Sequence, residues 1–164
     1  MSMKEKTLVL IKPEGVQRHL AGRIISRFED AGLKIVGMKM VWVDEEFAKK
    51  HYTEDITKRR GEFVRNKLLK YLVEGPVVAI VLDGVDAIEN VRRITGSTEP
   101  KTAQPGTIRG DFAHVSYKYA DDNNMAVKNI IHSSSNNEDA KNEIALWFKK
   151  EELHNYKTIQ DYFF

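Results

Sequence analysis

The 164-residue chain has no cysteine, which excludes disulfides, thiolate metal sites and cysteine nucleophiles and fits a reducing compartment. Long apolar runs are missing too. The longest, VVAIVL at 77–82, is far too short to span a bilayer. The amino end MSMKEKTLVLIKPEG reaches Lys12 and Pro13 too soon to be a signal peptide. Charge of one sign is scarce, since 26 basic and 24 acidic side chains leave a net +2. That balance argues against a dedicated nucleic-acid binder, although Lys58, Arg59, Arg60 and the pair Arg92, Arg93 could meet phosphates. No G-x-x-x-x-G-K-[ST] segment occurs, so the chain is not a P-loop enzyme. With no H-E-x-x-H and no histidine cluster, no protein-held metal is expected.

What is there is ordinary globular material, 41% apolar and 30% charged. Without repeats, low-complexity tracts or linkers, residues 1–164 read as one domain, soluble and cytoplasmic. The run TLVLI closed by KPEG suits a buried strand ending in a turn. Leu20, Ile24, Ile25 and Phe28 form one helical face with Gly32 beyond it, and KIVGMKMVWV reads as a half-buried strand. Asp44 offers an N-cap to EEFAKKHY, and a helix is expected over Glu62 to Val73. VVAIVLDG is the most apolar strand, VDAIENVRRI a helix stopped at Gly96, and STEPKTAQPGTIRGDF a long loop of the kind that carries function. The last strand is roughly AVKNIIH, followed by a final helix. Four strands with interleaved helices predict an α/β (α+β) sandwich of the ferredoxin-like kind, a four-stranded antiparallel sheet carrying its helices on one face. A flavodoxin-like parallel sheet wants more glycine after the first strand than KPEGVQR supplies.

The stretch NIIHSSSNNEDAKNEIALWF, residues 129–148, sets His132 where an apolar strand runs out. Ser135 and Glu138 have capping-box spacing, so the final helix is expected to start there. Its apolar stripe is Ala140, Ile144, Trp147 and Phe148, and Glu143 falls on that buried side, where a carboxylate needs a partner. A helix start favours phosphate, and a neutral imidazole beside a carboxylate is a competent nucleophile. Phosphoryl transfer through a phosphohistidine fits this pattern. So does a histidine that only closes a strand, with Glu143 in water.

The segments LVLIKPEGVQR, VEGPVVAIVLDG, the run from Gly96 through PGTIRGDF, and NIIHSSS with EIALWF occur together in one order over residues 7–154 and closely resemble nucleoside diphosphate kinase. The resemblance implies a ferredoxin-like fold, a homo-oligomer (hexamer or tetramer), and Mg²⁺-dependent ping-pong transfer of the γ-phosphate from a nucleoside triphosphate to a nucleoside diphosphate. It implies that His132 carries the phosphoryl group, with Glu143 and Ser134 orienting it. It assigns Lys12, Tyr52, Arg92, Thr98, Arg109 and Asn129 to the nucleotide. These types suit phosphate: forked arginine donors, a point charge on lysine, and hydroxyls. The RNA-recognition module shares the element order, but VVAIVLDG lacks the aromatics that module needs.

The chain departs from the family pattern in three places. GEFVRNKLLKY stands where a Pro-Phe-Phe-like segment supplies a ring against the base; ungapped counting from LLKY puts Val64 there, and a slip of one puts Phe63. The segment VSYKYADDNNMAVK is longer than the family's usual connection and reads as an extended hairpin or loop. HSSS replaces the more usual HGS or HAS, setting Ser133 beside the nucleophile.

Overall fold

The computed structural model describes residues 4–163. Four strands, β1 (Lys4–Ile11), β2 (Lys34–Val41), β3 (Val77–Val85) and β4 (Ile131–Ser133), form one sheet in the order β2-β3-β1-β4. Every adjacent pair is antiparallel, with Leu10 of β1 opposite His132 of β4. Nine α-helices are described: α1 (Pro13–Gln17), α2 (Ala21–Asp30), α3 (Glu45–His51), α4 (Glu54–Arg60), α5 (Glu62–Val73), α6 (Ala87–Thr95), α7 (Ile108–Phe112), α8 (Tyr117–Asp122) and α9 (Asn137–Trp147).

The two central strands are apolar at successive positions, and this decides the layering. Val9 and Ile11 with Ile80 and Leu82 face Ile24 and Phe28 of α2 and Val91 of α6. Leu8 and Leu10 with Ala79 and Val81 face Ala48 of α3, Leu69 and Leu72 of α5, and Trp147 of α9. Helices therefore cover both faces of the sheet, not one as expected, because strands without alternation must be buried on both sides. Each fully buried aliphatic side chain contributes about 1.5–3 kcal/mol to holding these layers together.

The structure corrects several local expectations. KPEG is not a plain turn: Pro13 starts a short helix, its missing N–H costing nothing at that position. Gly15 in it is required by close approach, since a Cβ there would lie 2.8 Å from Ile11 and 2.9 Å from Ile130. The final helix is capped by Asn136, which accepts from Asp139 N at 2.8 Å, and not by Ser135. β4 spans only three residues, because Ile130 takes a φ of +70° and breaks the extended run AVKNIIH. The long loop carries a 3₁₀ turn at Pro100–Thr102 and α7.

The segment VSYKYADDNNMAVK forms no hairpin: it makes a short helix, α8, and then runs as loop. Ser116 Oγ accepts from Tyr119 N at 3.1 Å as its cap, and Lys118 pairs with Asp122 at 2.7 Å one turn on. Its turn formers only end it, Asn123 as cap and Asn124 at a φ of +51°.

Candidate active site

A cavity of about 600 Å³ opens between α3, α4, α5 and α8 on one side and β4, α6, α7 and α9 on the other. Among the expected site residues Lys12, Tyr52, Val64, Arg92, Thr98, Arg109, Asn129, His132 and Glu143 line it. Ser134 lies fully buried behind Glu143. Phe63 is not part of the lining; it is 58% exposed and its ring lies 4.1 Å from the Lys67 ammonium. Of the two alternatives for an apolar shelf, Val64 is the one in the cavity.

At the inner end, Glu143 of α9 takes hydrogen bonds on both oxygens, from His132 Nε2 at 2.9 Å and from Ser134 Oγ at 2.6 Å. Ser134 in turn is fixed to β1, its Oγ accepting from Leu8 N at 3.2 Å. Burial pushes the Glu143 carboxyl up, but His132 beside it and the bonds from His132 and Ser134 outweigh this and hold it below its usual range. A carboxylate can only accept, so Nε2 of His132 carries the proton and Nδ1 keeps its lone pair. An imidazole held in this tautomer, backed by a negative charge, is built to attack an electrophile from Nδ1.

Lys12 follows β1 directly, and its buried Nζ donates to Asn129 Oδ1 at 2.7 Å. Burial, helped by Arg109, lowers its pKa to about 7. Asn129 uses its amide nitrogen on the Thr98 carbonyl at 3.0 Å, joining β1, the loop after α6 and the segment before β4. Arg109 of α7 is 7% exposed and binds three main-chain carbonyls, those of Asn129 at 3.2 Å, Gly96 at 3.0 Å and Ile131 at 2.6 Å. Burial lowers its pKa to about 10, so it stays charged at neutral pH. Gly96 has a φ of +87° and packs on Thr107, a turn that no side chain would permit. Arg92 is exposed at the rim, whereas Arg93, one position on, lines a different pocket with Lys34 and Asp161.

Sequence reasoning missed two features of the lining. His51, the last residue of α3, sits with its ring 4.8 Å from that of His132 at 88°; its only sequence signal was its place before Tyr52. Tyr117 and Asp121 of the inserted α8 close the outer end, Asp121 lying 3.7 Å from Lys67 of α5. Arg59 and Arg60, expected among the cations that could meet phosphates, also line the cavity, with the Arg60 guanidinium 5.4 Å from the Tyr117 ring.

Ligating atoms of His51, His132 and Glu143 lie within 4.8 Å of one another, the one such group among the described residues. They do not suit a metal. Trp147 Nε1, which can only donate, is 3.2 Å from His51 Nδ1, so the His51 proton sits on Nε2 and neither nitrogen offers a free lone pair. Glu143 is committed to His132 and Ser134.

The nucleoside diphosphate kinase family model matches residues 5–153. A nucleoside diphosphate kinase of Borreliella burgdorferi is 51% identical over 154 residues, covering 93% of this chain and 92% of that one. One of Pyrococcus horikoshii is 50% identical over 164 residues, covering 100% and 98%. Among solved structures, a transition-state mimic of the Borrelia burgdorferi enzyme with bound vanadate and ADP superposes with a TM-score of 0.94 at 49% identity, covering 96% of this chain and 95% of that one. The Halobacterium salinarum enzyme in complex with CDP superposes with a TM-score of 0.83 at 37% identity, covering 98% of each chain. With four strands in this order, a carboxylate-backed histidine at the foot of the cleft and these relatives along its whole length, the chain belongs to the nucleoside diphosphate kinase family.

Proposed function

We propose that His132 is the residue through which this enzyme moves phosphate between nucleotides, and that it does so as Nδ1-phosphohistidine with Mg²⁺ carried on the substrate. The family's activity is phosphoryl transfer between nucleotides, and its members need a divalent cation. The observation that carries the reading is the tautomer: Glu143 holds the proton on Nε2 and leaves Nδ1 as the nucleophile inside a cavity shared with Lys12, Arg92 and Arg109.

In the first half-reaction the Nδ1 pair forms a bond to the γ-phosphorus as the bond to the bridging oxygen breaks, and the electrons leave with the diphosphate. The ring becomes cationic, and Glu143 stabilises it without taking its proton. In the second half a terminal oxygen of another nucleoside diphosphate attacks the same phosphorus and Nδ1 recovers its pair. Charge on the moving group spreads over its oxygens, so positioned donors supply most of the catalysis. Arg109 uses three of five N–H groups on carbonyls, leaving two for phosphate. Arg92 and Lys12 add charge, and Tyr52 and Thr98 add hydroxyls. Mg²⁺, when bound with the nucleotide, neutralises phosphate charge; the cationic lining suits an ion held mainly by phosphates and water.

Val64 serves as an apolar shelf that makes no hydrogen-bond demand on the base, which supports broad nucleotide acceptance. The relatives holding ADP and CDP point the same way. Residues 1–164 act as one domain in a cytoplasmic homo-oligomer, hexamer or tetramer. Support for assembly comes from β2, an edge strand bearing Met38 and Met40, with Trp42 just beyond its end, at 54%, 62% and 68% exposure. Among the described residues no helix is long and apolar enough to cross a membrane.

The test is incubation with γ-labelled ATP and Mg²⁺, then a chase with GDP. Acid-labile, alkali-stable label that leaves with GDP, and is absent from His132→Ala, is the expected result. Label that forms but never passes to GDP would point to a carrier serving protein partners, and label that persists in His132→Ala would overturn the assignment.

A further inference from the structure

We infer that His51 is a catalytic donor, its Nε2–H bonding to an oxygen of the phosphoryl group while that group is on His132; the inference rests on the phosphohistidine reading above.

His51 is held at the end of α3 by its neighbours. Trp147 donates to its Nδ1 at 3.2 Å, with the two rings 5.6 Å apart at 83°, and Phe47 packs edge-on against Trp147 at 4.9 Å. Because the indole N–H has no lone pair to offer, this contact fixes the tautomer, and His51 must carry its proton on Nε2. That N–H is buried and has no hydrogen-bond partner. Nearly all buried donors in folded proteins are paired, so an orphan calls for a reason.

Its place supplies one. His51 lines the cavity, stands perpendicular to His132 at 4.8 Å, and shares with His132 and Glu143 a cluster no wider than 4.8 Å. Both Glu143 oxygens are already taken by His132 and Ser134. A phosphoryl group on Nδ1 of His132 brings three acceptor oxygens into this neighbourhood, and its arrival satisfies the orphan. Such a donor stabilises the phosphoenzyme and the transition states on either side more than the empty site, which is the condition for accelerating chemistry. Burial first, then the His132 charge, lowers the His51 pKa to about 3. The ring thus stays neutral and does not compete with His132 for Glu143. The proton is not transferred at any point; it is shared with the phosphoryl oxygen and returns to its unpaired state when the group leaves.

Two amide substitutions separate donation from packing. In His51→Asn the amide occupies the Nδ1 position and keeps a partner for Trp147 but does not reach the Nε2 position, whereas in His51→Gln the terminal nitrogen does reach it. Expected are a fall in kcat of about 10²-fold for His51→Asn with KM little changed, and recovery of most of that loss in His51→Gln. In parallel, the ring N–H resonance of His51 in the ¹⁵N-labelled native protein should move and exchange more slowly after incubation with ATP and Mg²⁺. This needs no variant to fold. Native turnover in His51→Asn, or an unmoved His51 resonance in the phosphorylated protein, overturns the inference. Either result with normal label on His132 leaves the phosphohistidine reading intact, whereas absence of label on the native protein refutes that reading itself.

Discussion

At the inner end of the cleft the side chains that hold His132 are largely buried and bonded on more than one side, whereas the outer end, formed by α4, α5 and α8, carries ion pairs with at least one member in water. Glu143 has partners on both oxygens and Ser134 bonds both to Glu143 and to β1. At the other end Asp121 is 70% exposed where it meets Lys67, whose own side chain is only 10% exposed, and within α4 Asp55 and Arg59 are 63% and 66% exposed. Exposed pairs of this kind contribute about 0–1 kcal/mol each, and less as salt rises. Under the proposed function the contrast assigns work to each end: fixed geometry for the phosphoryl group, and a tolerant wall for different bases.

The largest effect should come from removing the negative charge behind His132, the proposed nucleophile. Glu143→Gln keeps shape and hydrogen-bonding capacity but leaves the developing imidazolium without its counter-charge. Stopped-flow measurement of enzyme phosphorylation should show a rate lower by about 10²-fold or more. A near-native rate would erase the distinction between the two ends. The same carboxyl supplies a folding signal. Its pKa is lower folded than unfolded, so the stability it adds is complete above the usual carboxylate range and is lost as pH falls through the folded value. Acid unfolding of Glu143→Gln should lack that component.

The two arginines sharpen the comparison next. Arg109→Met takes a donor from three carbonyls, of which that of Asn129 keeps Ile131 N at 2.7 Å, at a cost of about 1–3 kcal/mol for each that is left dry and unpaired. Thermal unfolding should therefore show a large drop in Tm together with lost activity. Arg92→Met removes an exposed rim cation and should lower kcat/KM while leaving Tm nearly unchanged. Equal Tm losses would mean that Arg109 is not the structural member of the pair.

What the sequence disclosed follows the same division. Strand runs such as TLVLI and VVAIVLDG and the contiguous NIIH with EIALWF are local signals, and they were readable because each is set by neighbours in the chain. The face on which helices lie was misjudged, since unbroken apolarity in β1 and β3 demands cover on both sides. The inserted α8 was hidden by its turn-forming end, ADDNN, while the residues that fix it are distant: Glu99 accepts from Tyr117 N, and Lys67 meets Asp121. His51 was invisible for the same reason, its partners His132 and Trp147 lying 81 and 96 positions away.

At the outer end, effects should be small and should fall on KM. Asp121→Ala removes a 70% exposed carboxylate held only loosely, at 3.7 Å, by Lys67, so KM for nucleoside diphosphates should change by no more than about fivefold. Val64→Phe puts a ring on the shelf and should tighten purine binding by about 1 kcal/mol, roughly fivefold, with kcat unchanged. A large kcat effect from either would show that α5 and α8 reach the chemistry.

The smallest quantity sharpens the inner end itself. Lys12, with an ordinary pKa of 10.5, is lowered to about 7 by burial and by Arg109. Above pH 7 the free enzyme therefore holds mostly neutral amine there, while phosphate in the cleft favours the ammonium. Nucleoside diphosphate binding at pH 8 should take up close to one proton, an uptake that fades as pH falls well below 7, where the amine is already charged. The folding linkage has a matching sign. Between about pH 7 and 10.5 the unfolded chain binds a proton that the folded one does not, so the cost of burying Lys12 shrinks and stability from this group rises with pH. Calorimetric titrations in two buffers of different ionisation enthalpy measure the uptake, and Lys12→Arg, which stays charged throughout, should abolish it. Uptake that survives in Lys12→Arg would assign the titrating group elsewhere in the cleft.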